Sequence, residues 1–177
     1  ESHPDCRAPL TQIVALYLEG PVNEPPQQSF TSEERAAALS GLRTFMTDNS
    51  DARIVIGGKR AGFEGAMPGI VEEVLFSLER RQPLYLVGGF GGATLDVIRT
   101  LHPTYAEWLP VLPGAPEPDQ RLTNGLARLD EVVSAQQWDG YENGLVEKEN
   151  RLLAASYRPS EIAALVGVGM GRLLAID

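Results

Sequence analysis

Apolar positions in this chain fall into short continuous runs that alternate with longer stretches of helical period, the arrangement of an α/β protein. The continuous runs are residues 11–18 (T-Q-I-V-A-L-Y-L), 53–56 (R-I-V-I) and 83–87 (P-L-Y-L-V). Runs of this kind suit strands covered on both faces of a parallel sheet, and for 11–18 a short helix fits the periodicity as well. Gly20-Pro21 and Pro25-Pro26 keep the stretch after 11–18 out of regular structure. Thr31 and Glu34 then have capping-box spacing, which predicts a helix over 33–47 with Ala37, Leu42, Phe45 and Met46 as its apolar face. The acidic turn 48–51 closes that helix.

After Pro68, which suits a first helical turn, Ile70, Val71, Val74, Leu75 and Leu78 line one face of a second helix. Glu72, Glu73, Glu79 and Arg80 line the other. Residues 93–101 predict a helix that stops before Pro103, and five prolines within 103–118 predict a long irregular connection. Loops of that length in a compact domain tend to be functional or mobile. Further helices are predicted over 122–137 (core face Leu126, Leu129, Val132, Val133), 145–156 and 160–174, with Asn143-Gly144 as a turn and Ser160 as an N-cap. Gly167, Gly169 and Gly171 each cost the last helix about 1 kcal/mol relative to Ala, which points to close packing against another helix or across a subunit contact.

Two of the strand runs empty into glycine and then into a helix. The first junction is Gly57-Gly58-Lys59-Arg60, and the second is Gly88-Gly89-Phe90-Gly91-Gly92-Ala93-Thr94. Strand-to-glycine-to-helix turns are where α/β proteins bring backbone N–H groups and a helix N-terminus to an anion. Here the N–H groups of 91–94 are the expected donors, with the Thr94 hydroxyl beside them and Asp96 as an acceptor for a sugar hydroxyl. Lys59 and Arg60 would pair with phosphate charge, and ordinary solubilising charge explains them equally well. Phe63 and Phe90 would stack on a base or cover the strand ends. A tight turn with no ligand is the competing explanation of the glycines.

Composition narrows the choice. At 177 residues the chain fits one domain, read as spanning 1–177. A net charge of −9 argues against binding a nucleic-acid backbone, while oriented backbone dipoles still allow a small anion. Cys6 is the single cysteine, which excludes an internal disulfide and favours a reducing, cytoplasmic setting. No apolar run approaches the roughly 20 residues of a membrane span. His3 has no second metal ligand nearby, His102 precedes a proline, and no serine occupies a nucleophile elbow, so neither a metal site nor a hydrolytic triad is expected. A first residue of Glu suggests a piece of a longer protein.

The block I-V-I-G-G-K-R-A-G-F-E-G-A-M-P-G-I-V-E-E followed by L-Y-L-V-G-G-F-G-G-A resembles the SLOG superfamily of nucleotide-binding domains. It is most similar to branches from bacterial conflict and antiviral defence systems. The later N-G-L-V-E-K-E-N and E-I-A-A-L-V-G-V-G stretches share that likeness, which covers residues 51–172. The resemblance implies a Rossmann-like three-layer domain with a mainly parallel sheet and a helical C-terminal part. It implies a signalling role: binding a nucleotide-derived ligand, ADP-ribose-like or cyclised, and regulating an effector in the same or a partner chain, as a homo-oligomer and with no cofactor.

On this reading the ligand-binding residues are Gly57, Gly58, Lys59, Arg60, Glu73, Gly88, Gly89, Phe90, Gly91, Gly92, Ala93 and Thr94, and none is catalytic. The Lonely Guy phosphoribohydrolases of the same superfamily carry a catalytic Glu after their P-G-G-x-G-T motif. In this chain that position is Leu95, which favours binding over hydrolysis. Glycosidic hydrolysis by Glu72 or Glu73 is one alternative, and a scaffold that binds nothing is another.

Overall fold

A computed structural model of the protein describes residues 31–136 and 142–175. The expected strand over 11–18, together with His3 and Cys6, lies outside them. In chain order the elements are α1 (Ser32–Asp48), β1 (Arg53–Ile56), α2 (Gly69–Glu79), β2 (Leu84–Val87), α3 (Gly92–Leu101), a 3-10 turn (Pro103–Tyr105), α4 (Gln120–Gln136), α5 (Glu147–Ala155) and α6 (Pro159–Leu174). Among the described residues the sheet consists of β1 and β2, parallel, with Arg53 opposite Leu84 and Ile56 opposite Val87.

Alternation along the strands divides the core between the two faces of this sheet. Val55, Leu84 and Leu86 point to one face, where they pack with Val71, Val74 and Leu75 of α2, Val97 and Ile98 of α3, and Leu122 and Leu129 of α4. Tyr85 and Val87 point to the other, against Leu153 of α5 and Ile162 of α6. Asn143, 2% exposed, fastens that side. Its amide donates to the Leu84 carbonyl at 2.6 Å, and its own carbonyl accepts from the Tyr85 hydroxyl at 2.7 Å. Among the described residues no helix is long and apolar enough to cross a membrane.

α1 departs from its expected packing. The capping box is present, with Glu34 N donating to Thr31 Oγ1 at 3.2 Å and Thr31 N to Glu34 Oε2 at 2.8 Å. Yet Ala37 and Met46 of the expected apolar face are exposed, and Thr47 is the buried residue of the helix. The reason lies on the opposing surface. Arg53, 6% exposed, opens β1 with a guanidinium that bonds Thr47 Oγ1 at 2.7 Å, Ser77 Oγ at 3.0 Å and Glu73 Oε2 at 2.7 Å. A buried cation needs polar partners, so α1 turns Thr47, Arg43 and Ser40 inward.

The last helix differs in two details. Pro159, whose fixed φ favours the first helical position, starts α6 after Arg158, so Ser160 lies inside the helix and does not cap it. Of its glycines, Gly169 packs tightly on the Asn143 carbonyl and the Tyr85 ring, whereas Gly167 and Gly171 face open space.

Candidate functional site

β1 and β2 are parallel neighbours, so the two glycine junctions meet at the same end of the sheet. Ala93 N donates to the Gly58 carbonyl at 3.1 Å and Thr94 N to the Gly57 carbonyl at 2.8 Å. Gly91 N donates to Gly88 O at 2.8 Å. Three of the four N–H groups expected to face an anion are thus used within the chain, because the first junction presents its carbonyls to the start of α3 at hydrogen-bonding range. Gly92, at φ 67°, permits this stitch, since a Cβ there would run into the carbonyls of Gly57 and Gly58. The Thr94 hydroxyl is buried and has no hydrogen-bond partner among the described residues.

Gly88 and Gly89 serve a different neighbour. Gly88 N donates to the Ala154 carbonyl at 2.9 Å, at the C-terminal end of α5. A Cβ on Gly89 would overlap the Ser156 carbonyl. These two glycines admit a helix end to the sheet.

What remains open is a cleft of about 340 Å³ lined by Gly58, Lys59, Arg60, Phe90, Gly92 and the segment 112–116. Arg60 is held in it by Asp96, with Nε to Oδ2 at 2.7 Å and Nη2 to Oδ1 at 3.3 Å, while Nη1 donates to the Pro116 carbonyl. Asp96, expected to meet a sugar hydroxyl, therefore pairs with Arg60. Lys59 has no hydrogen-bond or ion-pair partner among the described residues. A second cleft of about 390 Å³ shares Lys59 and is lined by Leu39, Arg43, Phe63, Glu64, Ile70 and Glu73. Phe63 carries the Arg121 guanidinium 4.3 Å above its ring centre.

Glu72 and Glu73, at least one of which was expected to be solvated, both converge on Arg43. Arg43 Nη1 lies 2.6 Å from Glu72 Oε2, and its Nε lies 3.6 Å from Glu73 Oε1. Ser40 Oγ also donates to Glu72 at 2.6 Å, and Glu73 is bonded by Arg53. Farther off, His102 at the end of α3 stacks on Tyr105, with ring centres 4.5 Å apart. Burial pushes its imidazole pKa down to about 4, against a smaller upward pull from Glu147. Among the described residues no three His, Cys, Asp or Glu side chains gather to hold a metal ion.

The family model described as SLOG cluster2 matches residues 10–153, which is most of the chain and includes both junctions and both clefts. The chain belongs to the SLOG cluster2 family. Neither a curated protein nor a solved structure matches it. For this SLOG cluster2 domain the helix-rich fold around a small parallel sheet is compatible with an α/β architecture.

Of the residues singled out in the sequence, the first cleft gathers Gly58, Lys59, Arg60, Phe90 and Gly92, and the second holds Glu73. Gly88, Gly89, Ala93 and Thr94 sit behind this surface in backbone contacts. Arg43 is a site feature that sequence reasoning missed. The proline-rich connection 103–118 was marked as functional or mobile by its length, but residues 112–116 were not placed among the ligand-binding ones. Nothing in the helical pattern of α1 marked Arg43. Leu95, where a hydrolase of the superfamily would need its Glu, is buried in the core.

Proposed function

We propose that this SLOG cluster2 chain is a single sensor domain, over residues 1–177, that binds a nucleotide-derived anion in the cleft between its glycine junctions. The observation that carries this reading is Lys59, a cation with no partner among the described residues, beside Arg60 at the mouth of an aromatic-lined cleft. In a chain of net charge −9 an unpaired lysine at such a place is well suited to a phosphate. Phe90 and the prolines of 112–116 offer a flat apolar surface to a base or sugar. Gly57, Gly58 and Gly92 bring backbone close to the same space, and Glu73 would accept from a hydroxyl in the second cleft.

Family membership favours an ADP-ribose-like or cyclised ligand, with occupancy passed to an effector domain in the same or a partner chain of a cytoplasmic homo-oligomer. Binding is favoured over turnover because Glu72 and Glu73 are both neutralised by arginines and Leu95 supplies no carboxylate. The test is thermal-shift and calorimetric titration with ADP-ribose, its cyclic isomers, NAD and AMP. A ligand at about 100 times its Kd stabilises by about 2.7 kcal/mol. A midpoint that stays put with all four would defeat the reading.

A further inference from the structure

We propose that residues 111–118 form a flap fastened by Arg60, and that an anion bound in the cleft tightens this fastening so that occupancy is registered as closure. The fastening stands on geometry alone, and its response to ligand rests on the binding reading above. Every residue from 111 to 118 is exposed. Pro113, Pro116 and Pro118 have no N–H to donate. Among the described residues the segment makes one hydrogen bond, from Arg60 Nη1 to the Pro116 carbonyl. One apolar contact supplements it, with Leu112 seated over Gly91. The ends are fixed: Leu109 is buried on one side, and on the other Asp119 N donates to the Arg60 carbonyl at 2.9 Å. The stretch between two fixed ends therefore has one guanidinium as its polar hold and Leu112 as an apolar one.

That guanidinium also faces the cleft. A guanidinium has five N–H donors. Asp96 takes the one on Nε and one of the two on Nη2, and Pro116 takes one of the two on Nη1, which leaves one on each Nη for a phosphate oxygen pair. An anion can add to Arg60 without displacing either partner, with Lys59 supplying the second charge. A second charge-assisted contact, added to the Asp96 fork, fixes the guanidinium more firmly than that fork alone. The flap bonded to it is held down in turn, with Leu112 and Pro113 over the ligand. Asp96 acts as a positioning residue that aims Arg60 before any ligand arrives.

Thermolysin cleavage at Pro110–Val111, whose P2′ residue is Leu112 and not a proline, reports opening, because cleavage follows the population of the open form when closing is fast. In the ligand-free chain Arg60→Ala and Asp96→Asn are expected to raise the cleavage rate about tenfold. Arg60→Lys keeps the charge, removes the fork and serves as the third variant should either of the others fold poorly. Its expected rate is also raised, with the thermal midpoint within a few degrees of wild type. Unchanged cleavage in the folded variants overturns the fastening. With ADP-ribose or inorganic pyrophosphate added, wild-type cleavage is expected to slow several-fold and Arg60→Lys cleavage to stay constant. Calorimetric binding without slowing overturns closure by occupancy. No binding by either probe, or by NAD or AMP, defeats the binding reading together with the ligand half of this proposal, and the ligand-free variants then decide the fastening on their own.

Discussion

The two glycine junctions look alike in sequence, yet Gly57 of the first and Gly89 of the second are used in opposite ways. At the first, Gly57 sits at φ 66° and a Cβ there would meet nothing within 4 Å, so the residue serves a turn whose side-chain surroundings are open. At the second, Gly89 lies against the backbone of Ser156 and Tyr157, so the missing side chain makes room for the exit of α5. One junction delivers Lys59 and Arg60 to the cleft, and the other holds α3, α5 and the strand ends together. Glycine tolerates unusual φ and close approach alike, and sequence alone does not tell the two apart.

Adding the same methyl group at each junction gives the largest separation. Gly89→Ala forces a Cβ into the Ser156 carbonyl, where neither partner is a flexible side chain, and is expected to cost about 3 kcal/mol or more by urea denaturation. Gly57→Ala strains only a left-handed backbone and is expected to cost about 1 kcal/mol. Equal losses at the two positions would remove the contrast.

The same difference explains how much was legible beforehand. Both strands and the helices around them were readable because apolar period reports burial directly, and β1 falls on residues 53–56 as expected. The meeting of the junctions was readable too, since parallel neighbours end on one side. What could not be read was which partner each polar group would choose. Ala93 and Thr94 had two possible acceptors, a ligand or the carbonyls of Gly57 and Gly58, and the choice depends on a separation across the sheet that no local pattern encodes. Arg53 illustrates the same limit: a buried cation at a strand start drew Thr47, Ser77 and Glu73 to itself and turned α1 onto a polar face.

The helix that leaves the second junction ends at His102, and burial gives that region a pH response. An imidazole held down to about 4 in the folded chain, against an ordinary 6.5, binds fewer protons folded than unfolded between those values. Its stabilising effect is complete above pH 6.5 and is lost as pH falls toward 4. By pH 5 the loss is expected to be about 1.5 kcal/mol after allowance for partial solvent access. Denaturation at pH 7 and pH 5 checks it against His102→Phe, which keeps a ring on Tyr105 and cannot titrate. If the two profiles run parallel, burial at His102 is not the cause.

Lys59→Gln should have the smallest effect on the fold and is the sharpest test of the first junction. The lysine is exposed and without a partner among the described residues, so its loss is expected to change stability by no more than about 0.5 kcal/mol. If the cleft holds an anion, the same substitution removes its one charge not already balanced by a carboxylate, and affinity for ADP-ribose is expected to fall about tenfold. That loss should shrink as salt is raised, because a charge at the mouth of a cleft is screened over about 10 Å at 0.1 M ionic strength. A residue that contributes nothing to folding and a factor of ten to binding has a functional role. One that contributes to neither would make the first junction, like the second, a matter of packing.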